Sequence, residues 1–300
     1  MITLPITRRS FIAGVAATTL LPSKAATMTD PTIKVGQTLL TTLSDGHLDL
    51  PPQAFSNIDP KVLDKTPAPI RIGANVWQLK TATRNILIDS GSGSHLQAKY
   101  PATGQLGSEL ETQNIDRSAV TDIIITHMHA DHIGGLMTGE KPNFPNATLH
   151  MAREEWTYWT DKDRPSHVPD AIKPLAGLIQ SLASKLKYNL EQHEGETDLG
   201  EGIWLLPAPG HTPGHVAVRV DGGDKQVLML GDAIISDALQ FAHPDTTYVL
   251  DSYPDQAAKT RRALFEMMAA DKIPFSATHL NTGAFGHVEA DGKGFRYSVM

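Results

Sequence analysis

Three histidines and an aspartate stand within six residues: His127, His129, Asp131 and His132. Neutral imidazole and carboxylate are the usual ligands of zinc and similar divalent cations. The cluster follows an apolar run, Ile123-Ile124-Ile125, that reads as a buried strand, and Gly134-Gly135 breaks the pattern behind it. Alternate side chains of an extended segment share a side, so His127 and His129 project together. The turn that follows can aim Asp131 and His132 at a neighbouring point. This arrangement suggests two adjacent metal positions rather than one.

Two metals need more ligands than one cluster supplies. His211 lies in Pro209-Gly210-His211-Thr212-Pro213-Gly214-His215, Asp232 in Leu230-Gly231-Asp232, and His279 after Ala277-Thr278. Each follows an apolar, strand-like run. Sites built from loops at strand ends on a rigid sheet core are common. His215 reads as supporting the site rather than ligating. The other histidines, among them His47, His95, His150, His167, His193 and His243, stand in no motif and read as surface or structural.

The order of these residues resembles the metallo-β-lactamase superfamily: a strand, H-x-H-x-D-H and Gly-Gly, then a histidine, an aspartate and a histidine. The resemblance implies an α/β protein, an αββα four-layer sandwich. It implies that His127, His129 and His211 hold one metal, that Asp131, His132 and His279 hold the other, and that Asp232 bridges them. Asp89, ending the run Asn85–Asp89, resembles the aspartate that orients a ligand histidine in that family. The implied cofactor is a pair of divalent ions, zinc foremost. Such a pair lowers the pKa of bound water to about 7, so a hydroxide bridging the metals is available to attack a carbonyl or phosphoryl centre at neutral pH. Asp131 and Asp232 are the candidates for passing a proton to the leaving group.

A closer resemblance lies at the carboxyl end. Gln240-Phe241-Ala242-His243-Pro244-Asp245, Thr278-His279-Leu280-Asn281 and the stretch Phe285 to Tyr297 resemble the methyl parathion hydrolase branch, exported dizinc esterases. The expected reaction is therefore hydrolysis of a small-molecule ester, either an organophosphotriester or a carboxylic or aryl ester. Trp156, Trp159, Phe241, Phe285 and Ile235 are the candidate pocket residues. The alternative is a lactonase acting on acyl-homoserine lactones. Lactonases of the superfamily carry a tyrosine three residues after the bridging aspartate, where this chain has Ile235. A mononuclear iron sulfur dioxygenase is a further alternative, and it would leave Asp131, His132 and His279 without a shared second metal. The β-lactamases lack the aspartate that Asp232 supplies.

Composition narrows the field. Twenty-six basic against 33 acidic residues give a net charge of −7, which argues against nucleic acid as a partner. There is no cysteine, so thiolate ligands and thiol nucleophiles are excluded. No G-x-S-x-G elbow and no phosphate-binding loop is present. Residues 1–26 resemble a cleaved twin-arginine export signal: Thr7-Arg8-Arg9-Ser10-Phe11-Ile12, an apolar stretch to Leu21, and Ser23-Lys24-Ala25-Ala26. A periplasmic or secreted protein without a stable membrane anchor is expected. A homodimer stays open.

The elements that must position these residues follow from the apolar pattern. One domain is expected over residues 27–300. Asp45-Gly46 reads as a hairpin turn, and the proline-rich 51–69 as a long surface loop. Strands are expected at 74–79, 85–89, 147–151, 202–207, 217–220 and 227–230, with 275–278 as the last inner strand. Ile172, Leu175, Ile179, Leu182 and Leu186 share a face, which predicts an amphipathic helix over 171–187. Helices are also expected at 153–159 and 256–270. Strands and helices come in two sets, divided near residue 195, as in two sheets with helices outside.

Overall fold

The computed structural model describes residues 31–300. The expected export segment, residues 1–26, lies outside the described residues. Two seven-stranded sheets form the core. The first holds β1 (Thr32–Val35), β2 (Thr38–Leu50), β3 (Ile70–Lys80), β4 (Asn85–Ile88), β5 (Asp122–Ile124), β6 (Thr148–Ala152) and β7 (Asn189–His193). The second holds β8 (Thr197–Asp198), β9 (Ile203–Pro207), β10 (Val216–Asp221), β11 (Gln226–Met229), β12 (Phe275–Ser276), β13 (Gly286–Asp291) and β14 (Gly294–Val299). In both sheets spatial order equals chain order. Strands β1 to β4 pair antiparallel and β4 to β7 parallel, while in the second sheet β11 and β12 form the parallel pair.

Side-chain alternation sorts the apolar residues into layers. Trp77, Leu79, Ile86, Ile88 and Ile124 meet Ile203, Val218, Val220, Val227 and Met229 between the sheets. Leu87, Ile123 and Leu149 point the other way, toward the helices α1 (Leu106–Thr112), α2 (Ala130–Ile133), α3 (Arg153–Thr160) and α4 (Lys173–Ala183). Strands covered on both faces read as unbroken apolar runs, as 86–88 and 123–125 do. On the far side, Leu228, Phe275 and Ala277 pack on Phe265 and Met268 of α5 (Pro254–Asp271). The result is the expected four-layer αββα sandwich. Among the described residues, no helix is long and apolar enough to cross a membrane.

Two expectations about elements need correction. Asp45-Gly46 is not a turn, because β2 runs through it with a bulge at Ser44/Gly46. The Asp45 side chain is buried and accepts from Ser92 N at 2.9 Å, Ser92 Oγ at 2.7 Å and Leu106 N at 2.9 Å. Gly46 has φ +105°, and a Cβ there would lie 1.7 Å from the Ala102 oxygen. Nor is 275–278 the last inner strand, because β13 follows it and is paired on both sides, by β12 and the edge strand β14.

Candidate metal centre

The seven expected ligands meet at one end of the sandwich, each shortly after a strand, with Asp131 and His132 inside α2. The chain leaves β5 through Thr126, whose N and Oγ1 each donate to the Asp89 carboxylate at 2.8 Å. Asp89 also accepts from His132 Nδ1 at 2.8 Å. It holds φ +66°, a conformation uncommon outside glycine, and the three hydrogen bonds fix it there. His132 Nε2 is thereby aimed away from Asp89, into the centre.

The second half supplies three ligands by similar means. His211 Nδ1 donates to Asp251 Oδ1 at 2.9 Å, which leaves Nε2 as the free nitrogen. His215 Nδ1 donates to the Ala208 oxygen at 3.0 Å, and its Nε2 accepts from Asp232 N at 3.0 Å. His215 therefore ligates nothing and holds the backbone of Asp232. His279 Nδ1 donates to the Gly73 oxygen at 2.7 Å, across from the first sheet.

The free atoms converge in two groups, His127 with His129, His211 and Asp232, and Asp131 with His132 and His279. In the first, His129 Nδ1 and His211 Nε2 are 3.0 Å apart, and Asp232 Oδ2 is 3.3 Å from His211 and 3.7 Å from His127. In the second, Asp131 Oδ2 is 3.7 Å from His132 Nε2 and 3.6 Å from His279 Nε2. Asp232 reaches this group as well, 3.2 Å from His132 and 3.0 Å from His279. Two ligands on one tetrahedral zinc lie ~3.3 Å apart for bonds of 2.0–2.1 Å, so both groups have the spacing of a metal shell. His127 Nε2, His132 Nε2 and Asp232 Oδ1 are buried without a hydrogen-bond partner. Such orphans are rare unless a ligand completes them.

Electrostatics point the same way. Burial, helped by neighbouring imidazoles, holds His127 and His129 well below the usual histidine range, so both offer bare lone pairs at neutral pH. Burial opposes charge on His132 and His279 too, yet the nearby carboxylates, Asp232 foremost, outweigh it and raise both. Burial would likewise raise Asp232, but His279, His132 and His127 pull it far down. The cavity is thus arranged to hold an anion at Asp232 and positive charge around it.

Three supporting residues escaped the sequence reading. Glu155, fully buried in α3, accepts from Met128 N at 2.8 Å and Gly214 N at 3.1 Å, so it ties the His129 loop to the His211 loop. Asp251 orients His211. Asn75 Nδ2 donates to Thr278 O and Leu280 O, both at 2.8 Å, on either side of His279. None carries a local signal: Glu155 looks like any acid in a helix's first turn, and all three act on residues remote in sequence.

The pocket candidates fare unevenly. Trp159 is buried, donates to Glu155 at 2.8 Å and backs the His129 ring at 5.5 Å. Trp156 lines an open groove of about 770 Å³ with Tyr158, Pro213 and Tyr253. Phe241 is stacked between Phe265 and Tyr297, and Phe285 packs between the sheets, so both are core residues rather than pocket walls. Ile235 is fully buried among Phe55, Ile72 and Leu239, and only its N–H is engaged, by Gln240. Instead, Tyr248 stacks over His211 at 6.3 Å. Burial, then the charges of Asp131 and Asp232, raise its phenol well above the usual range, which keeps it a hydrogen-bond donor.

A family model described as the metallo-beta-lactamase superfamily matches residues 70–279, a span that contains all seven converging residues. The chain belongs to the metallo-β-lactamase superfamily. A probable metallo-hydrolase of Mycobacterium tuberculosis is 32% identical over 136 residues, 42% of this chain and 40% of that one. A hydroxyacylglutathione hydrolase of Photobacterium profundum is 32% identical over 127 residues, 42% of this chain and 37% of that one. The chain thus spans about two fifths of the length of these curated relatives. Among solved structures, the dizinc quorum-quenching lactonase AidC, in complex with a product, is similar at TM-score 0.81 and 25% identity, covering 91% of this chain and 97% of that one. The hydrolase AbOPH shares the fold at TM-score 0.81 and 24% identity, covering 91% and 97%.

Proposed function

We propose that the protein is a dinuclear metal-dependent hydrolase of carboxylic esters, with lactones as the foremost class. The observation that carries this is Asp232, whose two carboxylate oxygens reach both ligand groups. His127, His129 and His211 would hold one divalent ion, Asp131, His132 and His279 the other, and Asp232 both. When bound, the two ions supply a hydroxide at neutral pH and polarise the substrate oxygen.

The chain's own residues divide the remaining work. Asp232 is buried and pinned through its backbone by His215. Asp131, at 15% side-chain exposure, is the ligand that reaches solvent, so its carboxylate is the group placed to take up the proton that the nucleophile gives up and pass it to the leaving alkoxide. Tyr248 can donate to the acyl oxygen or amide of a lactone from its loop. This supplies the donor that position 235 lacks, so Ile235 no longer counts against a lactone. The likeness to the dizinc lactonase supports the same reading. A second reading, aryl esters or dialkyl aryl phosphotriesters, rests on the resemblance of residues 240–245, 278–281 and 285–297 to the methyl parathion hydrolase branch.

Purified protein is expected to carry close to two divalent metals per chain, and to lose and regain ester and lactone hydrolysis on chelation and reloading. A single tightly held iron with no hydrolysis would overturn the proposal. Tyr248→Phe is expected to lower kcat/KM for acyl-homoserine lactones about tenfold or less, the range of one hydrogen bond, with metal content unchanged. A change for phosphotriesters alone would favour the second reading.

A further inference from the structure

We propose a third divalent-cation site at the rim of the first sheet, formed by His150 Nδ1, His193 Nε2 and a Glu191 carboxylate oxygen. Neither histidine stood in a motif, and both read from sequence as surface or structural. The sheet brings them together. Strands β6 and β7 run parallel with Glu191 opposite His150, and His193 lies two residues on, so all three side chains share a face.

The donor atoms have the spacing of a metal shell. His150 Nδ1 is 3.1 Å from His193 Nε2 and 3.6 Å from Glu191 Oε2, against ~3.3 Å for two ligands of a tetrahedral zinc. One donor atom from each of the three lies within 4.8 Å of the other two. The rings lie nearly parallel, 5.4 Å between centroids.

What lies behind the set prepares it for a metal. His150 Nε2 faces Asp122 Oδ1 at 2.9 Å. Asp122 is in turn held by Arg84 through two hydrogen bonds, at 2.9 and 2.8 Å, and by Thr121 Oγ1 at 2.6 Å. Burial opposes its charge, but these partners outweigh burial and keep Asp122 ionised. An ionised carboxylate only accepts, so His150 donates to it from Nε2 and turns Nδ1 to the rim. Carboxylate, histidine and metal in line is the arrangement that fixes ligand tautomers in zinc sites. Burial, with His150 beside it, lowers His193, which is therefore neutral at neutral pH. Two imidazoles and a carboxylate suit zinc, nickel or copper rather than magnesium or calcium. Glu191 has 53% of its side chain exposed, so water can complete the shell and the ion can exchange. The site would pin edge strand β7 where the chain crosses to the second sheet. It lies apart from the hydrolytic centre and does not depend on the function proposed for that centre.

The test compares holoprotein, loaded at its main centre, with two variants. Wild type, His193→Ala and Glu191→Gln are dialysed to equilibrium against micromolar Zn(II), and bound metal is counted per chain. Wild type is expected to hold one equivalent more than His193→Ala, whatever the occupancy of the main centre. Glu191→Gln is expected to weaken that equivalent tenfold or more, and ester hydrolysis is expected to be equal in all three. Added zinc should raise the Tm of wild type but not of His193→Ala. Equal metal counts in wild type and both variants would show that the two rings share only a hydrogen bond, and would overturn the proposal. So would an extra equivalent that survives in both variants.

Discussion

At the scale of single residues, Glu155 links the two halves of the centre without being a ligand itself. Its carboxylate accepts from Met128 N, Gly214 N and Trp159 Nε1, all within 3.1 Å. Removing it would strand buried donors, each costing roughly 1–3 kcal/mol. Glu155→Ala is therefore expected to lose about 3 kcal/mol or more in denaturant unfolding and to bind its metals more weakly. Unchanged stability would show that the donors find other partners. The ligands themselves were legible because their chemistry is rare and concentrated, with four of them between 127 and 132. Glu155, Asp251 and Asn75 were not, since a carboxylate or amide that braces a distant loop looks in sequence like any polar residue. Ile235 shows the converse: the position was found, but not that its side chain turns inward.

At the scale of elements, Asp-Gly occurs three times, at 45–46, 221–222 and 291–292, and the first and last have opposite outcomes. At 45–46 the strand continues through a bulge, because the Asp45 carboxylate is consumed inside by Ser92 and Leu106. At 291–292 the same pair starts the turn of the β13–β14 hairpin. A local rule cannot tell them apart, because the deciding partners lie far along the chain. Strand β3 shows how closely one element sets a ligand. Gly73 N donates to His279 O at 3.2 Å and Gly73 O accepts from His279 Nδ1 at 2.7 Å. A Cβ on Gly73 would lie 2.3 Å from the Leu280 oxygen. Gly73→Ala is expected to cost about 1–3 kcal/mol, as overpacking does, and to lower metal occupancy by displacing His279. Metal analysis checks this, and full occupancy with unaltered unfolding would refute it.

At the scale of the whole molecule, the division near residue 195 was readable because each half repeats a run of strands followed by helix. How the halves join was not, since the joints are side-chain contacts. One is Arg84, which pairs with Asp122 in the first half and donates to the Leu199 oxygen in the second at 2.8 Å. Both charges are largely buried, so breaking the pair is expected to cost about 3 kcal/mol at neutral pH. Asp122 titrates below its unfolded value of about 3.9. A depressed carboxylate contributes its stability above the unfolded pKa and loses it as pH falls through the folded one. The Tm gap between wild type and Asp122→Asn is therefore expected to be widest above pH 4 and to close below it. A gap that persists undiminished at pH 2 would rule out this origin.

The chain order of the strands has a consequence for synthesis. All of the first sheet has been synthesised once residue 193 is made, yet its inner face is covered only when 203–229 arrive. At ~5–20 residues per second that delay is roughly 2–7 seconds. Through it Trp77, Leu79, Ile86, Ile88 and Ile124 have no partner sheet, so nascent chains stalled near residue 200 are the form most prone to aggregate or to recruit a chaperone. Metal capture comes later still, because His279 is the last ligand to be made.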